Sequence, residues 1–144
     1  MTPERVLALD VGRARVGVAI SDPLGLTAQP LEVIDRRKGG AFDRIAALIT
    51  EREVAQVVIG RPLTLSGKEA QAVAAIDGFA EKLAAKIQVP IRMWDERLTT
   101  AQAEKAMIAQ GARRKTRRDN IDKIAAALIL QSFLDAGCPA EDLP

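Results

Sequence analysis

The 144-residue chain contains no histidine and no tyrosine, and it has a single cysteine, Cys138. These absences exclude Ser–His–Asp and Cys–His catalytic arrangements, an imidazole general base, His/Cys zinc sites and disulfides within the chain. One tryptophan and three phenylalanines leave few rings on which the bases of a single strand could stack. Any chemistry must therefore come from carboxylates, lysines, arginines and hydroxyl groups.

Long hydrophobic stretches are also missing. The longest apolar run, Ile124 to Leu130, has seven residues, whereas a membrane span needs about 18–20. The N-terminal segment meets an acidic residue almost at once, which is not typical of a signal peptide. The apolar fraction of 48% and the charged fraction of 28% are those of a folded soluble protein. We expect a cytoplasmic protein without membrane association, formed by one domain over residues 1–144.

Short apolar runs between turn residues predict five strands: Val6–Leu9, Val16–Ile20, Leu31–Ile34, Val57–Ile59 and Ile91–Trp94. The first three follow one another too closely for parallel crossovers, so we expect an antiparallel meander. Helical periodicity and caps predict four helices: one opened by Gly39-Gly40, one from about Lys68 to Ile87, one from Thr99, and one capped by Asp119 or Asn120.

The last helix is expected to carry an apolar stripe that includes Ile121, Ile124 and Leu128 and to end at Gly137 and Pro139. The order of elements is then βββαβαβαα. Such an order predicts an α/β fold in which helices pack on a mixed sheet, with three antiparallel strands followed by βαβ crossovers.

Three acidic residues fall at predicted element ends: Asp10 after the first strand, Glu96 after the fifth, and Asp122 in the first turn of the last helix. Each has a structural explanation, since Asp-x-Gly is common in turns and acids near a helix N-terminus favour its dipole. Gly12 is expected to adopt a backbone conformation that other residues avoid. In a chain without imidazole, however, three carboxylates together are a candidate site for Mg²⁺ or Mn²⁺, which assist phosphoryl displacement.

Basic residues cluster near these acids. The segment 113–118 contains five cations in six residues and directly precedes the predicted last helix. Such a block is typical of a solvated loop, but its place beside the proposed metal ligands favours phosphate binding. A weaker cluster is Arg36-Arg37-Lys38. The residues to which we assign substrate binding are Arg13, Arg15, Arg97, Arg113, Arg114, Lys115, Arg117 and Arg118. With few aromatics, recognition should depend on backbone charge and shape, as for structured RNA or branched DNA.

Three segments resemble the YqgF/RuvX family: residues 9–22 (LDVG through GVAISD), 94–100 (WDERLTT) and 122–131 (DKIAAALILQ). Members of that family are described as Holliday-junction resolvases and as nucleases that mature the small-subunit ribosomal RNA precursor. The resemblance implies a ribonuclease H-like fold and a metal-binding triad at Asp10, Glu96 and Asp122. The family's Gly-x-Pro loop is present at residues 60–62, but Ser66 stands where the family usually carries an acid.

The resemblance favours a metal-dependent nuclease that hydrolyses phosphodiester bonds in 5′-end maturation of pre-16S ribosomal RNA, with ribosome-associated factors as further partners. One alternative is a branched-DNA resolvase, which would need a two-fold dimer for symmetric cutting; the sequence leaves monomer and weak homodimer open. Another alternative is a non-catalytic nucleic-acid-binding module in ribosome assembly. Actin-like sugar kinases also carry Asp-x-Gly after their first strand, but they need a second domain for which 144 residues leave no room.

Overall fold

The computed structural model describes residues 4–61, 67–95 and 114–138, with side chains described within 4–61, 70–94 and 123–138. Its strands are β1 (Arg5–Val11), β2 (Arg15–Ser21), β3 (Ala28–Asp35), β4 (Val54–Arg61) and β5 (Ile91–Asp95). Its α-helices are α1 (Ala41–Glu51), α2 (Gly67–Ala84) and α3 (Arg114–Asp135), and a 3-10 turn at Arg36–Lys38 joins β3 to α1. The helix predicted from Thr99 lies outside the described residues.

The five described strands form one mixed sheet in the order β3-β2-β1-β4-β5. The pairs β1–β2 and β2–β3 are antiparallel, which confirms the predicted meander. The pairs β1–β4 and β4–β5 are parallel, since α1 and α2 lie in the connections that lead to β4 and β5. Strand β1 is therefore central, and the carboxyl ends of β1, β4 and β5 meet at one edge of the sheet.

The two faces of the sheet support two separate cores, because alternate side chains of a strand point to opposite faces. The core under α1 and α2 contains large aliphatic strand residues: Leu7, Leu9, Val16, Val18, Ile20, Val57 and Ile59. The core under α3 contains a smaller set from the strands: Val6, Ala8, Ala19 and Val58. We name these the α1/α2 face and the α3 face.

The start of the last helix differs from the sequence prediction. Helix α3 begins at Arg114 rather than after a cap at Asp119 or Asn120. Arginine and lysine are good helix formers, so the basic segment continues the helix instead of preceding it. The expectation that Arg114–Arg118 forms a loop is therefore wrong.

The buried side of α3 differs as well. Its buried residues are Ala125, Ala126, Ala127, Ile129, Leu130 and Phe133, while Ile124 and Leu128 are only half-buried. The segment 124–130 is apolar at every position, so its sequence contains no single stripe from which the buried side could be predicted. Packing against the sheet decides the orientation.

The end of α3 confirms the predicted stop at Gly137. Gly137 has φ of +85°, a left-handed conformation that suits glycine. The Cys138 N–H donates to the Phe133 carbonyl at 3.0 Å, and the Gly137 N–H donates to the Leu134 carbonyl at 3.0 Å. These two bonds form a Schellman motif, which satisfies carbonyls that the helix end leaves open.

Within the described ranges, no helix has both the length and the apolar composition that a membrane crossing requires.

Candidate active site

Asp10 lies within the central strand and not in a turn. It is the next-to-last residue of β1, it is half-buried, and it pairs in register with Gly17 of β2. The hairpin turn begins two residues later, where the Gly12 N–H donates to the Arg15 carbonyl at 2.8 Å. The prediction that β1 ends at Leu9 is therefore wrong. Asp10 is therefore not an ordinary turn residue.

Gly12 is needed for space rather than for its backbone conformation. Its φ is not positive, which contradicts the conformational expectation. A Cβ at this position would lie 2.8 Å from the Arg15 carbonyl oxygen, closer than side chains tolerate. The tight turn therefore requires glycine, because the two backbone segments approach so closely.

The residues in register with Asp10 on the two neighbouring strands are both glycines. Strand alternation places Asp10 on the α3 face, in line with Val6 and Ala8. Its cross-strand partner in β2 is Gly17, and the register of β1 with β4 places Gly60 on the other side. A glycine inside a strand often marks close approach of a ligand or another backbone. Sequence reasoning missed this arrangement, although Gly17 interrupts an otherwise apolar strand.

Glu96 lies outside the described residues, but the strand that leads to it is described. β5 ends at Asp95, which pairs with Arg61 at the end of β4. One row earlier, Trp94 pairs with Gly60, the glycine beside Asp10. The described part of β5 therefore ends at the sheet edge at which β1 presents Asp10.

Asp122 lies on the backbone of α3 as its ninth residue, counted from Arg114. Its side chain is not among those described. The effect of the helix dipole falls off within the first turn, so the explanation of Asp122 as a first-turn acid is wrong. By the helical repeat, position 122 precedes buried Ala126 by one turn.

The predicted substrate-binding residues occupy two places in the described structure. Arg13 is exposed in the β1–β2 turn, and Arg15 is exposed at the start of β2. Arg114, Lys115, Arg117 and Arg118 lie on the first two turns of α3. Arg97 and Arg113 lie outside the described residues.

The weaker basic cluster at Arg36–Lys38 is partly neutralised. Arg37 donates from Nε and Nη2 to the two carboxylate oxygens of Asp35, at 3.0 and 3.2 Å. This contact lowers the pKa of the Asp35 carboxyl and raises the pKa of the Arg37 guanidinium. Arg36 behaves differently: its Nη1 donates to the Gly12 carbonyl at 2.7 Å, which ties the 3-10 turn to the hairpin.

The four aromatic rings of the chain pack internally. Phe79 and Phe133 are buried, Phe42 packs against Phe79 with ring centroids 4.8 Å apart, and Trp94 meets Phe133 edge-on at 5.5 Å. The Trp94 indole N–H donates to the Ser132 hydroxyl at 3.1 Å. The phenylalanines therefore pack within the cores rather than forming an exposed surface on which bases could stack.

Within the residues that the structure describes, no three acidic or thiol side chains converge to form a cation site. Asp10 is the member of the predicted triad whose side chain is described. Its surroundings still fit a divalent ion, since a carboxylate offers the hard oxygen donors that Mg²⁺ prefers. The glycines beside it leave lateral space on the sheet.

Comparison with protein families identifies the chain. Residues 4–136 match the family model described as RuvX, Holliday junction resolvase. The chain belongs to the RuvX family. A relative from Lactococcus lactis subsp. cremoris, named "Putative pre-16S rRNA nuclease", is 50% identical over 92% of this chain and 94% of that protein. A Listeria monocytogenes relative of the same name is 46% identical over 91% of this chain and 97% of that protein. RuvX membership confirms the resemblance and the predicted enzyme class, a nuclease acting on phosphodiester bonds.

Solved structures agree with the fold. The chain resembles Thermus thermophilus RuvC, solved with a Holliday junction substrate, with a TM-score of 0.60, 18% identity and coverage of 94% of this chain and 98% of that one. It also resembles a fowlpox virus resolvase, solved with Holliday junction DNA, with a TM-score of 0.53, 12% identity and coverage of 94% and 99%. These similarities confirm the ribonuclease H-like fold that the resemblance to the RuvX family predicted.

Proposed function

We propose that this RuvX chain is a divalent-metal-dependent nuclease in which Asp10, Glu96 and Asp122 hold Mg²⁺ or Mn²⁺. The observation that carries the proposal is the position of Asp10, on the central strand at the carboxyl edge of the sheet, with glycines on both neighbouring strands. Ligand sites of α/β folds concentrate at the carboxyl ends of parallel strands. In this proposal the single domain spans residues 1–144.

The protein's part in the reaction follows from its residues. When bound, a divalent ion supplies Lewis-acid chemistry: it activates a water molecule and stabilises charge on the phosphodiester. Asp10 anchors the site from a strand that is paired on both sides, so its position is rigid. Gly17 and Gly60 leave the space beside the carboxylate in which a phosphodiester can approach.

Substrate binding is assigned to the basic residues on either side of that edge. Arg13 and Arg15 present exposed guanidinium groups from the β1–β2 hairpin. The basic turns of α3 and the predicted contacts of Arg97 and Arg113 add further charge. Arginine binds phosphate through paired donors, and such contacts position a nucleic acid without reading its sequence.

Pre-16S ribosomal RNA is the substrate that we propose. The relatives with this name are 46–50% identical over more than nine-tenths of the chain, whereas the resolvases of similar fold are 12–18% identical. Branched DNA is the second candidate, since the RuvX family model is itself described as a Holliday junction resolvase. With pre-16S ribosomal RNA as the substrate, we also predict a cytoplasmic location and ribosome-associated partners.

Cleavage of a labelled substrate panel tests the proposal. The panel contains precursor ribosomal RNA, unstructured single-stranded RNA and a four-way DNA junction, each with Mn²⁺, Mg²⁺ or EDTA. We expect cutting of the precursor that requires the metal and falls at least about 10²-fold in Asp10→Asn. The matched control is Asp43→Asn, because Asp43 is an exposed acid of α1 whose carboxylate accepts a hydrogen bond from Lys86 Nζ at 2.7 Å.

Each other outcome has a definite meaning. Preferred cutting of the junction would identify branched DNA rather than RNA as the substrate. The assignment of the metal site would not change. Full activity of Asp10→Asn would remove Asp10 from the catalytic set. Binding without cleavage under every metal would support the non-catalytic module in place of the nuclease.

A further inference from the structure

A groove of about 600 Å³ lies between the β1–β2 hairpin, the Arg36–Lys38 turn and the middle of α2. Its volume is within the range of about 300–1,000 Å³ typical of small-molecule sites. Val11, which lines it, follows Asp10 directly in β1 but belongs to the α1/α2 face. The groove therefore begins one residue beyond the proposed metal ligand, on the other side of the same sheet edge.

Two arginines line this groove, Arg13 and Arg36. Arg36 is held in place, because its Nη1 donates to the Gly12 carbonyl and its guanidinium carbon lies 5.1 Å from the centre of the Phe79 ring. A guanidinium has five N–H donors, so that single carbonyl contact leaves others able to bind an anion. Arg13 is exposed at the tip of the hairpin.

These two arginines differ from others in the described residues. Arg37 pairs with Asp35, Arg44 pairs with Glu32 at 2.7 Å, and Arg61 pairs with Asp77 at 3.1 Å. Within the same described ranges, neither Arg13 nor Arg36 has a carboxylate within ion-pair distance. Positive charge in the groove is therefore not neutralised by the described acids.

The rest of the described lining is apolar or neutral. Ala72 and Ala75 lie one turn apart on α2, and their small side chains leave the groove wide; Ile76 and Val11 add apolar surface. Gln71 contributes an amide with both donors and an acceptor. A site with guanidinium groups at one end and an apolar surface with an amide beside it suits a nucleotide, whose phosphate is anionic and whose base is flat and partly apolar.

We propose that this groove binds one nucleotide of the substrate strand, with its phosphate on Arg13 and Arg36 and its base against Ala72 and Ala75. The proposal deepens the nuclease function and, as a subsite of a nuclease, rests on it. The groove begins at the residue after Asp10 but on the other side of the sheet edge, so the proposal places this nucleotide next to the proposed metal site rather than within it. In this proposal the base is held by apolar contact with Ala72 and Ala75 and by hydrogen bonds to the Gln71 amide.

Nuclear magnetic resonance titration of the full chain in EDTA tests the groove separately from catalysis. The probes are adenosine 5′-monophosphate, adenosine and inorganic phosphate. We expect the monophosphate to shift the signals of Val11, Ala72, Ala75 and Ile76 and to bind more tightly than either fragment. Equal affinity for inorganic phosphate, or shifts confined to other surfaces, would overturn the proposal.

Two pairs of variants sharpen the test. Ala75→Leu fills the groove and is expected to weaken monophosphate binding at least about tenfold, while Ala74→Leu, at an exposed neighbour outside the lining, should not. Arg13→Ala should weaken it about tenfold, and Arg37→Ala, which removes the same charge from an arginine paired with Asp35, should not. Wild-type affinity in both Ala75→Leu and Arg13→Ala would overturn the groove assignment.

Cleavage assays then separate this proposal from the nuclease proposal. If Ala75→Leu cuts precursor RNA as wild type does, the nuclease stands and the groove is not a substrate subsite. If the wild-type chain binds the monophosphate in the groove but cuts nothing under any metal, the nuclease fails and the nucleotide site remains.

Discussion

The two faces of the sheet are built from different side chains, and the smaller ones surround Asp10. The α1/α2 face contains leucine, isoleucine, valine and phenylalanine. The α3 face has alanines and glycines around Asp10, with Ala8 and Ala19 on the strands and Ala126 on the helix. Small side chains let a helix approach a sheet closely and leave the carboxylate accessible at the edge. The first face therefore holds most of the large core side chains, and the second face holds Asp10.

Truncation on the α1/α2 face should have the largest effect on stability. Leu48 of α1 is fully buried, so Leu48→Ala is expected to lower the free energy of unfolding by about 2–5 kcal/mol through lost burial and a residual cavity. Urea denaturation measures the change. Leu48→Met keeps the volume and should cost less than about 1.5 kcal/mol. Equal losses in the two variants would contradict the cavity explanation.

A side chain added beside Asp10 should lower the rate of cleavage. Gly60→Val places a branched side chain in the row of Asp10, and we expect cleavage of precursor RNA to fall about 10²-fold because the phosphodiester is displaced. Ile59→Val is the matched control, since Ile59 is the adjacent β4 residue on the α1/α2 face. If a folded Gly60→Val protein cleaves normally, the glycines do not serve the site.

On the α3 face, a larger side chain should lower the stability of the protein, whereas on the α1/α2 face a smaller side chain should do so. Ala126 is fully buried between α3 and the sheet, so Ala126→Leu is expected to lower the free energy of unfolding by about 1–3 kcal/mol through overpacking. Ala84, exposed at the end of α2, provides the control as Ala84→Leu. An unchanged Ala126→Leu protein would indicate that the helix–sheet spacing is not tight.

The smallest effect concerns Cys138, which packs against the α3-face core. Burial raises the pKa of its thiol, because the thiolate is the form that loses solvation. The stability that the protein gains from burying the neutral thiol is therefore fully present below the thiol pKa of the unfolded chain. It is lost as the pH rises toward the higher thiol pKa of the folded protein. We expect modification by a thiol reagent at pH 8 to be slower in the folded protein than in urea. Equal rates would show that the thiol is not protected.

Local signals in the sequence were sufficient for much of the fold. The three antiparallel strands, helix α1 with its start after Gly39-Gly40, and the end of α3 at Gly137 all agree with the structure. Each depends on neighbouring residues, such as a turn, a helical period or a glycine cap, that can be recognised over a short stretch.

Features that depend on distant residues could not be predicted. Asp10 extends β1 despite the low strand preference of aspartate, because it pairs with Gly17 of β2. Which side of α3 is buried depends on how the helix packs against the sheet. The glycines beside Asp10 come from positions 17 and 60, and only the strand register brings them into one row. The triad itself, carried by the RuvX resemblance, stays a prediction at Glu96 and Asp122.

The late position of α3 in the chain has a consequence for biosynthesis. Strands β1 to β5 are complete by residue 95, but the helix that covers Val6, Ala8, Ala19 and Val58 begins at Arg114. A growing chain that has already paired its strands therefore exposes one apolar sheet face until α3 has left the ribosome. Exposed apolar surface of this kind favours aggregation of a partly folded chain. Asp122 lies on the same helix, so the proposed metal site would be completed only when the sheet is covered.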